Sequence, residues 1–73
     1  MNMKLKIKDK IRFFRKGENG KWFESCKGII TGFSCDTAHN PIFAFVRIFQ
    51  EGELSDIDQL LPIEANCARI VRY

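Results

Sequence analysis

Seventy-three residues, 45% hydrophobic and 29% charged, make a single globular domain near the lower size limit at which a hydrophobic core alone keeps a chain folded. That length excludes a separate cofactor domain, and five glycines with two prolines are too few for a disordered or collagen-like chain. The formal net charge of +3 permits polyanion binding without requiring it, so the placement of the charges matters more than their sum.

The chain opens on basic residues with no contiguous apolar segment of signal-peptide type, and no apolar run approaches the roughly 18 residues of a membrane span. A cytoplasmic protein with no membrane association is the expectation. Residues 4–14 alternate: Lys4, Lys6, Lys8, Lys10 and Arg12 share one parity, while Leu5, Ile7, Ile11 and Phe13 share the other. Asp9 interrupts the apolar parity, so a turn at Lys8-Asp9 would open the true first strand at Lys10 and bend the basic ladder. Lysines in such a position also discourage edge-to-edge pairing of an exposed strand.

Residues 15–21 are a polar loop whose Asn19-Gly20 suits the positive φ angles of a tight turn. Trp22 and Phe23 follow. A second strand over residues 25–34 contains Gly28 and Gly32, and glycine within a strand marks a bulge, a bend or close backbone approach. Residues 35–41 form a polar connection closed by Asn40-Pro41. It carries His39, which lacks the partnered nucleophile or acid of a catalytic histidine.

Residues 42–50 are the densest strand chemistry in the chain. Ile42, Ala44, Val46 and Ile48 line a core face, and Phe43, Phe45, Arg47 and Phe49 line the other. Three phenylalanines beside a guanidinium are either buried under another chain or under the loop of Trp22 and Phe23, or they are a ligand surface. Glu51-Gly52-Glu53 is a hairpin turn, residues 54–57 are the returning strand, and residues 58–62 form a 3₁₀ turn stopped by Pro62. The last strand covers residues 68–73, with Ile70 on one face and Val71 and Tyr73 on the other.

Cys26, Cys35 and Cys67 are an odd count without a C-x-x-C, which argues against a disulfide scaffold and predicts small buried hydrophobes. With His39 they have ligand types that suit zinc, but only Cys35 and His39 are close in sequence, so no metal is expected. Phosphate-binding and dinucleotide fingerprints and nucleophile motifs are absent, and no cofactor is expected.

Five short strands bent by glycine, with one 3₁₀ turn before the last, predict an all-β antiparallel barrel. The order of features, a basic opening strand, a long first loop, a Gly-rich second strand and a tight late hairpin, resembles SH3-like barrels of the Tudor and KOW kind. Asp9-Lys10-Ile11-Arg12, Trp22 and the run from Gly28 to Cys35, a G-x-I-x-G-aromatic-x-C pattern, are similar to the plasmid-borne type II dihydrofolate reductases. Those are SH3-like barrels that assemble as tetramers around a pore. The resemblance implies a five-stranded SH3-like barrel over residues 1–73. It does not carry over the chemistry: Ser55-Asp56-Ile57-Asp58 stands where that family has a Val-Gln-Ile-Tyr pore strand, and Phe13 stands where it has a lysine. Acids around a pore would repel folate and NADPH, so reductase activity is not expected.

Aromatics interleaved with basic residues suit nucleic acid, because bases stack on rings while Lys and Arg neutralise phosphates. The expected function is therefore a non-catalytic interaction module. Lys6, Lys8, Lys10 and Arg12 are expected on phosphates of single-stranded or duplex nucleic acid, and Arg47, Phe43, Phe45 and Phe49 at the bases. Other outcomes compatible with these residues are a protein-binding module that is homo-oligomeric through the Phe43/Phe45/Phe49 face, an aromatic cage built from Trp22, Phe23 and Phe33, and an oligomeric enzyme using Asp56 and Asp58.

Overall fold

A computed structural model describes residues 4–73. These form β1 (Lys10–Lys16), β2 (Trp22–Cys35), β3 (Pro41–Gln50), β4 (Glu53–Pro62), β5 (Glu64–Ala65) and β6 (Ala68–Arg72). All six belong to one antiparallel sheet in the order β4-β3-β2-β1-β6-β5. Four strands run as a meander, and β6 then returns to the free side of β1. Among the described residues there is no helix, and hence none long and apolar enough to cross a membrane.

Period-two alternation explains which face is buried. Ile11 and Phe13 of β1, Ile30 of β2, Ala44, Val46 and Ile48 of β3, and Ala68 and Ile70 of β6 make the core. Leu5 packs against it. The parities expected for β1, β3 and the last strand are observed, except that Ile42 at the mouth of β3 is 43% exposed.

The sheet curls because β2 is bent where the sequence carries glycine. The β2–β3 register shifts between Ile30 and Gly32, which leaves Thr31 as the extra residue of a bulge. At Gly28 a Cβ would lie 2.5 Å from both the Arg47 carbonyl oxygen and Val46 Cγ1, so only glycine lets the two backbones approach this closely. The curl brings the ends of the sheet together at Ile63. Its N–H donates to the Ile42 carbonyl (3.1 Å), and its carbonyl accepts from Ile70 N–H (2.9 Å). No strand ladder joins β4 to β6 among the described residues, so the sheet is not a closed barrel.

Three expected features are corrected. The strands of the described residues number six rather than five, because Glu64 and Ala65 pair with β6 as the short β5. Residues 58–62 are not a 3₁₀ turn: β4 continues to Pro62, with Asp58, Gln59, Leu60, Leu61 and Pro62 opposite Arg47, Val46, Phe45, Ala44 and Phe43. Pairing with β3 satisfies a whole row of backbone groups where a single turn would satisfy one. Proline is tolerated because it ends an edge strand and needs no donor. Between Leu54 and Asp58 the β4 chain bulges opposite Ile48, and Ile57 N–H closes the bulge on Ser55 Oγ at 3.1 Å. The cysteines are not uniformly buried either: Cys26 is half-buried, whereas Cys35 and Cys67 are exposed because they stand at the end of β2 and just before β6.

Candidate functional site

The turn before β1 separates the lysines of the opening segment. Asp9 accepts from Lys6 N–H through its carboxylate (2.8 Å) and donates its own N–H to the Lys6 carbonyl (3.1 Å). Lys8 takes a positive φ of 79° at the corner. The corner is fastened to β2 by Lys8 N–H on the Ile30 carbonyl (2.7 Å) and Ile30 N–H on the Asp9 carbonyl (3.0 Å). Lys8 and Lys10 are thereby placed beside the far end of β6, where Tyr73 N–H donates to the Lys10 carbonyl at 2.9 Å.

Because Ile11 and Phe13 point inward, Arg12 points outward. It lies opposite Lys27 on β2 and Val71 on β6. Its guanidinium carbon stands 4.6 Å from the centre of the Tyr73 ring, and Lys27 Nζ stands 5.7 Å from the same ring. Next to this cluster an open groove of about 620 Å³ is lined by Lys8, Lys10, Lys27 and Arg72, with Asp9, Phe49 and Tyr73. The two acids at hand offset only part of the charge. Asp9 lies 3.7 Å from Arg72 Nε, and Glu24 lies 3.4 Å from Arg12 Nε and 3.9 Å from Lys27 Nζ. The Arg12–Glu24 contact lacks hydrogen-bond geometry, since Arg12 Nε is buried without a bonded acceptor. These contacts are long and their basic side chains partly exposed, so the pairs are worth little, which leaves the cations available to an incoming anion. The neighbouring cations, Arg12 first and then Lys27, hold the Tyr73 phenol below its ordinary pKa.

The structure divides the residues singled out from the sequence into two groups. Lys8, Lys10 and Phe49 line the groove and Arg12 adjoins it; Lys6 stands on the other side of the turn. Arg47 faces the same side of the sheet but does not line the groove: its Nε donates to Asp58 Oδ1 at 3.2 Å, and Thr31 Oγ1 donates to the same oxygen at 2.9 Å. Phe43 and Phe45 lie opposite Pro62 and Leu60, away from the groove. Lys27, Arg72 and Tyr73 do not stand out in the sequence. The alternation of the last strand marks Tyr73 as outward, but nothing local says that this strand lies beside β1.

The remaining constellations are accounted for locally. Trp22 has the Arg69 guanidinium carbon 4.1 Å from its ring centre and Lys16 Nζ at 5.2 Å, and it does not line the groove. In the loop before β3, the Asp36 carboxylate accepts from Ala38 and Asn40 N–H, both at 2.9 Å, and His39 takes a positive φ of 65°. Among the described residues no cluster of His, Cys, Asp and Glu is placed to hold a metal ion. Compared with known protein families, with curated proteins and with solved structures, the chain matches none.

Proposed function

We propose that this chain is an SH3-like barrel module that binds nucleic acid in the groove between β1, β2 and β6. The barrel reading is supported by the single antiparallel sheet that curls at its glycine-bent β2, with the Ile63 bridge and short β5 standing before the last strand. The observation that carries the binding assignment is the groove itself: four cations line it together with the Phe49 and Tyr73 rings, and Arg12 adds a fifth beneath Tyr73. Phosphates are drawn to the cations, and an exposed ring offers a face on which any base can stack. The groove is open rather than enclosed, which suits an unpaired strand whose bases are free to turn inward.

Titration of a short single-stranded oligonucleotide at several salt concentrations tests this. If about four phosphates are neutralised, the logarithm of the binding constant falls with the logarithm of salt at a slope of about −3. Absence of binding at low salt, or binding indifferent to salt, would remove the proposal.

A further inference from the structure

The outer face of the β3–β4 hairpin is built differently from the groove. Phe45 is 37%, Leu54 38% and Leu60 50% exposed, and Phe45 stands directly opposite Leu60. In the middle of these apolar side chains sits the Arg47–Asp58 pair. An exposed apolar patch on a chain this small marks a contact surface.

The charge pattern of the patch selects its occupant. Among the described residues Arg47 uses only Nε and Asp58 only Oδ1. The two terminal guanidinium nitrogens and the second carboxylate oxygen therefore make no hydrogen bond among the described residues. Glu51, Glu53 and Asp56 lie on the same hairpin, which disfavours a nucleic-acid backbone or an anionic lipid surface. A patch carrying one charge of each sign is complementary to itself. Across a two-fold axis, the free nitrogens of one Arg47 meet the free oxygen of the other copy's Asp58, and the reciprocal pair forms by symmetry. The bulge of residues 55–57 breaks up the β4 edge, so the face rather than the edge is what the hairpin presents.

We propose that the face centred on Arg47 and Asp58, with Phe45, Leu54 and Leu60 around them, is a two-fold interface with a second copy of this chain. This stands independently of the groove, which uses other side chains.

Solution mass by sedimentation equilibrium, over a wide concentration range, tests it with circular dichroism as the check on folding. The wild-type chain is expected to dimerise. The exposed substitution Leu60→Lys is expected to weaken the dimer tenfold or more. The sharper test mixes two charge variants. Arg47→Glu leaves the centre wholly acidic and Asp58→Lys leaves it wholly basic, so each alone is expected to be monomeric. Mixed in equal amounts they are expected to form a heterodimer, because each charge then meets its opposite across the axis. A wild-type chain that stays monomeric, folded charge variants that dimerise undiminished, or a mixture that fails to associate would each overturn the proposal.

Discussion

Arg12 and Tyr73 form a cation–aromatic pair across the β1–β6 junction, with 4.6 Å between the guanidinium carbon and the ring centre. Tyr73 is the chain's one tyrosine, so its ionisation is read directly from phenolate absorbance. Arg12 and Lys27 lower its pKa, and the midpoint is expected below that of a free tyrosine. Substituting Arg12 by alanine is expected to raise it. The linkage has a definite sign. The folded chain gives up this proton more readily than the unfolded one, so folding stability gains as pH rises from the folded value to the unfolded value, and the gain is absent below the folded value. An unchanged midpoint in the Arg12 variant would show that the pair does not act on the phenol.

The proposed phosphate binding is to be read, side chain by side chain, from the salt dependence. Replacing Lys10, Lys27 or Arg72 with alanine is expected to weaken oligonucleotide binding at low salt, and each replacement to flatten the salt slope by about 0.7 because one phosphate fewer is neutralised. Lys6→Ala and Arg47→Ala are expected to leave the slope unchanged, since neither side chain lines the groove. Equal effects at all five positions would mean diffuse attraction rather than a groove.

Gly28 and Gly32 look alike in the sequence and differ in the fold. A methyl group on Gly28 would collide at 2.5 Å with the backbone of Arg47, whereas on Gly32 its nearest neighbour is Phe45 Cδ2 at 3.5 Å, an ordinary contact. Gly28→Ala is expected to cost about 2–3 kcal/mol, the upper part of the range of core overpacking, and to lower the melting temperature by about 10–20 °C in a domain of this size. Gly32→Ala is expected to fall within about 1 kcal/mol of the parent. Thermal melts of the two variants side by side check both.

The strand content was readable because alternation and glycine punctuation act locally. Ala44, Val46, Ile48, Ile11 and Ile70 fall on the core face that their parity dictates, and the Glu51-Gly52 hairpin follows from two residues that both adopt positive φ, 54° and 82°. What was not readable depends on neighbours distant in sequence. The segment of residues 58–62 reads as a turn when taken alone and becomes strand because β3 offers it a ladder. The groove was half legible for the same reason: Lys8, Lys10 and Arg12 declare themselves as a basic run, but Lys27, Arg72 and Tyr73 join them only once β2 and β6 flank β1. The charge of Arg47 is visible in the sequence, whereas its pairing with Asp58 appears only when β4 folds back along β3.

The cysteines separate by chemistry as well as position. Cys26 lies opposite Phe13 in the β1–β2 ladder and packs against the core. Burial, and secondarily the charge of Glu24, push its thiol pKa up, while Cys35 and Cys67 are exposed. Only the thiolate attacks a disulfide reagent, and a raised pKa with restricted access lowers both its amount and its reach. At neutral pH, two thiols of the folded chain are expected to react rapidly and the third at least about tenfold more slowly. Denaturant is expected to remove the difference. Glu24→Gln is expected to speed the slow thiol modestly, since burial is the larger cause. The same shift makes the folded state lose stability as pH rises through the thiol range, because unfolding frees Cys26 to ionise. Three thiols reacting at one rate in the folded protein would place Cys26 outside the core.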